Sequence, residues 1–297
     1  MLITPLPGVS LKDLSNTLGQ LRNYLSRVHV TGPGRATERA QQYLEWVNEA
    51  RRMLRTQLRP AELEQLLPTQ EYELTLSAIA SSASVSVASH GNPDLANERL
   101  LNGLVSTQID QRSDALQQAI DSLDAAARQF ERAGVLVVLD TGVFLRHPQK
   151  LEEMDLAPVL GLRDEPIHIV VPMPVVDQLD GLKQHHKQHN RWRAGYSTAV
   201  IERVLRQGGL LREEDYSALT EGGIPRGRVT LDVLLDPPGH VRLPITDDEI
   251  VDRAVAVKVL AGRDVRLVTY DTGMAMRGNV AGLVVVKLEQ ELGEEPK

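Results

Sequence analysis

The 297-residue chain contains no cysteine. That excludes disulfides, a thiol nucleophile and thiolate metal sites, and it suits a reducing compartment. No apolar run approaches the length of a membrane span. The opening MLITPLPGVSLKD lacks a basic segment followed by an apolar core, so neither a transmembrane helix nor a secretory signal is expected. The expectation is a cytoplasmic protein with no membrane partner. Positive charge is also in short supply: 33 Lys and Arg stand against 40 Asp and Glu, a net charge of −7. The molecule as a whole is therefore not a basic nucleic-acid binder. A nucleic acid substrate stays open, because a carboxylate cluster that takes up divalent cations lowers the formal charge while the ions restore it locally. With 42% hydrophobic and 25% charged residues, the chain has a globular composition, long enough for one large domain or two ordinary ones.

What is present divides at Gly134. Residues 1–133 read as helical. In RATERAQQYLEWVNEARRMLRTQL, Tyr43, Trp46, Val47, Ala50, Met53 and Leu54 recur at spacings of a helical stripe. Leu116, Ile120, Leu123, Ala127 and Phe130 step at heptad spacing, which suits a bundle or a homodimer through these helices. SASVSVASHGNPD, with Gly91 and Pro93, predicts a turn between helices. His29 and His90 stand alone, and Arg51, Arg52, Arg55 and Arg59 read as a solvated helix face. No catalytic constellation occurs in this half, which is expected to be an all-α domain.

From residue 134 to 297 short β-branched runs alternate with helical stretches. The runs are VLVVLD (135–140), IHIVVP (167–172), RVTLDVLLD from Arg228, VRLVTYD from Val265 and AGLVVVKL from Ala281. TAVIERVLRQ from Thr198 and EIVDRAVAVKVLAG from Glu249 are the clearest helices, and GGIPRGR from Gly222 is the most loop-like segment. The alternation predicts an α/β domain with a mostly parallel sheet between helices.

In an open parallel sheet, ligands bind outside the carboxyl ends of the strands. The informative acids are those that end a strand or open the next helix: Asp140, Asp177, Asp180, Asp247, Asp248 and Asp271. Singly, each reads as a helix N-cap, as in LDTG or YDTG. Jointly they would repel one another unless cations neutralised them. Oxygen ligands without thiolates favour Mg²⁺ or Mn²⁺, and such ions support hydrolysis of phosphodiesters.

The series LDTGVF, VVPMPVVDQLDGLK, ITDDEIVDRAVAV and VRLVTYDTGM resembles a PIN domain, the fold of metal-dependent endoribonucleases, over residues 134–297. The resemblance implies a three-layer α/β/α sandwich; the all-α domain before it rests on the helical periodicity of residues 1–133 and is not part of the resemblance. The resemblance also implies that Asp140, Asp247 and Asp271 hold the metal, with Asp177 or Asp248 assisting and Thr269 orienting a water or phosphate. One position departs from the family pattern: Gln178 stands where a Glu is usual, with Asp177 before it and Asp180 after it. An amide is a weaker ligand for a hard cation than a carboxylate.

KQHHKQHNRWRAGYS (183–197) places three His, two Lys, two Arg and a Trp in fifteen residues. Adjacent histidines rarely face one way, so a metal site on His185, His186 and His189 is disfavoured. Lys183, Lys187, Arg191 and Arg193 suit phosphates, and Trp192 suits stacking on an unpaired base of single-stranded RNA. The competing reading is a solvated loop over a packed Trp192.

Three readings follow. The first is an Mg²⁺- or Mn²⁺-dependent endoribonuclease acting on single-stranded RNA. The second, favoured by Gln178, is a PIN-like module that binds RNA or protein and cuts poorly, with the helical half as docking or dimerisation element. A haloacid-type phosphatase ranks last, because Gly142 occupies the place of its second Asp. Within ITDDEIVDRA, Thr246 and Glu249 form a capping-box pattern, and Glu249 is expected to pair with Arg253 on the solvent side. Asp247 falls on the core-facing stripe, Asp248 on its flank, and Asp252 toward water.

Overall fold

The computed structural model describes residues 3, 5–6, 8–28, 35–67, 72–80, 95–131, 134–184, 186–217, 225–237 and 240–289. The turn expected in SASVSVASHGNPD lies outside them, as do His29, His90, His185 and the start of GGIPRGR. The chain divides into two compact units, Met1–Arg128 and Gln129–Lys297. Among the described residues no helix is long and apolar enough to cross a membrane.

The first unit is helical: α1 (Leu11–Leu25), α2 (Ala36–Leu54), α3 (Pro60–Leu66), α4 (72–80) and α5 (Leu95–Gln129). Leu14, Leu18, Leu21 and Leu25 repeat on one face of α1 and are buried. The stripe expected on α2 packs against them. Tyr43, Trp46, Val47, Ala50 and Leu54 are buried, with Met53 half-buried at the edge. Trp46 can be buried because its indole N–H finds an acceptor, the Leu21 carbonyl at 2.9 Å. Leu116 and Leu123 of α5, with Ile120 partly covered, join the same core. Arg112 is buried there too, and donates to the Leu66 carbonyl at 2.7 Å, at the end of α3.

The second unit is α/β. Its strands are β1 (Val135–Leu139), β2 (Ile167–Pro172), β3 (Leu210–Arg212), β4 (Val229–Leu234), β5 (Val265–Thr269) and β6 (Val284–Lys287), in the order β3-β4-β2-β1-β5-β6. All neighbours are parallel except β3, which runs antiparallel along the edge of β4. Every residue of β2, and all but the first of β1, is buried or nearly so. Successive side chains point to opposite faces, so helices cover the sheet on both sides in three layers. The helices are α6 (Thr141–Arg146), α7 (Leu156–Val159), α8 (Met173–Leu182), α9 (Gln188–Arg206), α10 (Thr246–Ala261) and α11 (Thr272–Val280).

Entry into β1 depends on Gly134. It has φ of +120°, and a Cβ there would lie 2.4 Å from the Pro166 carbonyl oxygen. Only glycine tolerates both conditions. From β1 the chain winds outward through β2 and β4, then returns to the other side of β1 as β5. The reversal opens a crevice where β1 and β5 end.

Candidate active site

Asp140 follows the last residue of β1, and its extended backbone turns the chain into α6. Its Oδ1 accepts the Gly142 amide at 3.1 Å. Asp271 does the same after β5: its Oδ1 accepts the Met274 amide at 2.7 Å and caps α11. Both acids are therefore helix caps, as LDTG and YDTG suggest. Capping fixes their orientation and leaves lone pairs for a further partner. Leu139 lies opposite Val268 in the parallel ladder, so both caps emerge at one end of the sheet.

Thr269 ties the two together. Its buried hydroxyl donates to Asp140 Oδ2 at 2.7 Å and accepts the Asp271 amide at 2.9 Å. The resemblance suggested that this hydroxyl orients water or phosphate. The geometry gives it a different task, because its proton is committed to Asp140.

Asp247 enters from the first turn of α10, and Gln178 from α8. With Asp140, Thr141 and Asp271 they line one pocket of about 330 Å³. Burial, and then the negative charges of Asp140 and Asp271, raise the Asp247 carboxyl above its ordinary pKa, with Arg277 opposing. Three carboxylates thus converge on one space, and they hold one another at a distance. Their oxygens do not all come within 4.8 Å of one another, as the ligand atoms of His240, Glu249 and Asp252 do.

Gln178, not its acidic neighbours, faces this pocket. Its Oε1 accepts the Thr141 hydroxyl. Asp177 turns away into an ion pair with Arg242, Oδ2 to Nη1 at 2.5 Å, and Asp180 pairs with Lys183 on the surface. The expectation that Asp177 assists at the metal is not met by this geometry, because successive residues on a helix point about 100° apart. Asp248 is likewise outside the lining: its Oδ1 holds Arg277 Nε at 2.7 Å.

The expected capping box is absent. Ile245 is the N-cap of α10, with no side-chain cap, and Thr246 is already inside the helix. Glu249 is buried rather than solvent-facing. It accepts the Leu243 amide at 2.9 Å and meets His240 Nε2 at 2.7 Å and Arg253 Nε at 3.3 Å. Arg253 is itself fully buried and bonds Asp252 as well, so Asp252 does not simply face water. A guanidinium already fills the charge requirement of this trio, which disfavours a metal there.

The basic segment is divided by the geometry of α9. Arg193 is buried, and donates to the carbonyls of Phe144, His147 and Gln149 at 3.1, 2.6 and 2.9 Å. It organises the turn after α6 and is not available to phosphate, contrary to expectation. Arg191 and Trp192 are exposed, with Trp192 stacked on Tyr196 at 5.4 Å, and Lys183 is half-exposed. Trp192 is therefore on the surface and not packed beneath a loop. Among the described residues, His186 and His189 join no cluster of metal-ligating groups.

Two cations at the pocket carry a signal that the acids overshadow. Arg146 lines it, and Arg277 reaches Asp247 and Asp248. Each stands six residues after a capping acid, in DTGVFLR and DTGMAMR. The same D-T-G-x-x-x-R spacing thus follows two adjacent strands.

A model of the PIN domain family matches residues 137–289, slightly more than half of the chain, and the N-terminal half has no such match. No curated protein matches the chain.

Proposed function

The chain belongs to the PIN domain family, with its nuclease-like fold, and on that premise we propose that it is an Mg²⁺- or Mn²⁺-dependent endoribonuclease acting on single-stranded RNA in the cytoplasm. The observation that carries this reading is the convergence of Asp140, Asp247 and Asp271, from three separate connections, on one pocket at the carboxyl end of the sheet. Burial first, and then the charges of Asp140 and Asp271, raise the Asp247 carboxyl, the kind of perturbation found at functional sites. A bound divalent ion would supply Lewis-acid activation of water and positive charge for the phosphate.

The chain's own residues do the positioning. Asp140 and Asp271 are held by their helix caps, and Thr269 locks Asp140 to the end of β5. Asp247 completes the set from α10. Gln178 offers a neutral acceptor steadied by Thr141. At the N-terminal end of α9, Arg191 and Trp192 present a guanidinium and an indole face to solvent, with Lys183 just before the helix. Arginine and lysine suit the phosphates of an RNA strand, and the indole suits an unpaired base. The helical N-terminal part, residues 1–133 in this reading, serves docking or homodimerisation.

The test is cleavage of an unstructured oligoribonucleotide in Mn²⁺ by the full chain and by Asp140→Asn. The substitution should lower the rate about a hundredfold or more while leaving the circular dichroism spectrum unchanged. Equal rates in the two proteins would sink the nuclease reading. Gln178 favours a second reading, a module that binds RNA and cuts poorly. Under it, both proteins bind the oligonucleotide with equal affinity, and Gln178→Glu raises the cleavage rate of the wild-type background.

A further inference from the structure

Of the two cations at the acid pocket, Arg277 is the one that reaches its first-turn acids on α10. Arg277 sits in the last turn of α11, and its side chain reaches across to the start of α10. Nε lies 2.7 Å from Asp248 Oδ1, a close ion pair. Nη1 lies 3.8 Å from Asp247 Oδ2, too far for a hydrogen bond, so the attraction there is coulombic.

The route of this side chain depends on Gly273. A Cβ at that position would stand 2.9 Å from Arg277 Nη1 and 3.1 Å from Asp271 Oδ1. The guanidinium therefore occupies space beside the capping acid that any other residue would crowd. It stands by Asp248 and Asp247, yet the side chain remains 38% exposed. Such a group can withdraw into water with little loss of packing.

We infer that Arg277 is the internal counter-cation of the pocket: Asp248 anchors it, and it competes with a divalent ion for Asp247. This rests on the reading of the pocket as a divalent-cation site. Asp248 then acts through Arg277 rather than as a ligand. Two positive charges beside one carboxylate repel, so the guanidinium lowers the affinity of the pocket for metal. Removing it exposes Asp247, and the gain is limited by solvent around the pair.

The experiment is a calorimetric titration of the full-length, EDTA-stripped protein with Mn²⁺, which reads binding directly and not activity. Arg277→Gln and Arg277→Met should each bind Mn²⁺ about three- to tenfold more tightly than wild type. Arg277→Lys, which keeps the charge, should stay within about twofold of wild type. The second neutral variant keeps the stem's packing and serves if the first fails to fold. Asp140→Asn should abolish binding in every background.

Equal or weaker binding by both neutral variants, with Asp140-dependent binding intact, overturns the counter-cation role alone. So does equal tightening by Arg277→Lys, which would assign the effect to shape. No saturable Mn²⁺ binding by any variant overturns the pocket reading itself.

Discussion

Asp247 and Glu249 stand two residues apart at the start of the same helix, and their surroundings are opposite. Glu249 is fully buried and answered from three directions: a histidine, a guanidinium and a backbone amide. Asp247 is half-exposed and faces two other acids across an open pocket, with one guanidinium at 3.8 Å. An acid whose charge is matched inside the fold is part of the architecture. An acid whose charge is left over among others of its kind is the one that the proposed function assigns to a ligand from outside. Counting carboxylates does not separate these cases; counting their cations does.

The comparison breaks most visibly at Glu249. Glu249→Ala leaves Arg253 buried with Asp252 as its remaining counter-charge and leaves the Leu243 amide and His240 without their acceptor, and should cost about 3 kcal/mol in urea denaturation. A loss below about 1 kcal/mol would contradict the architectural role. Arg193→Gln removes donors from three carbonyls in the turn after α6 and should cost about 2 kcal/mol by the same measurement. Arg191→Gln, two residues away and exposed, should leave stability unchanged. It should instead lower the salt dependence of RNA binding, by about 0.7 in the log–log slope if Arg191 neutralises one phosphate. An unchanged slope would remove Arg191 from the RNA surface.

The smallest effect concerns Asp247, and its sign is the informative part. Burial and the neighbouring acids raise its pKa in the folded chain, so the folded state holds the proton to a higher pH than the unfolded state does. Stability linked to this group is therefore highest when the carboxyl is protonated and falls as pH rises through the folded pKa. At neutral pH the ionised Asp247 is a modest burden. Asp247→Asn should raise the melting temperature of the metal-free protein at pH 7. The advantage should fade as the pH drops below the ordinary aspartate range. A lower melting temperature at pH 7 would show that Arg277 already over-compensates the site.

Much of this site is legible in the sequence, for a physical reason. Strands buried on both faces need β-branched runs, so IHIVVP coincides with β2 from Ile167 to Pro172. In a parallel sheet the residues after such runs gather at one end, which is enough to bring Asp140, Asp247 and Asp271 together. The three-residue β3 escapes, because a half-buried edge strand needs neither alternation nor a long apolar run. The fate of individual charges escapes as well. Arg191 and Arg193 are alike in composition, but two helical steps turn them about 200° apart, one to water and one to the carbonyls of the neighbouring turn. Thr246 and Glu249 have capping-box spacing, yet the helix starts at Thr246 with Ile245 as cap, so the pattern is displaced by one residue. Such displacements are below what spacing resolves. The paired D-T-G-x-x-x-R segments are different: that signal is present in the sequence but is masked by the more conspicuous acids.

The bond from the Asp271 amide to Thr269 Oγ1 has a consequence for how this region would look to a slow observer. Asp271 as a residue is exposed and lies past the end of β5. Its N–H, however, is held by a hydroxyl that is itself buried and tied to the end of the neighbouring strand. In deuterated solvent this amide should exchange on the timescale of strand interiors, far behind the equally exposed backbone around it. The slowest point of the pocket rim would then be the place where two strands share one hydroxyl group.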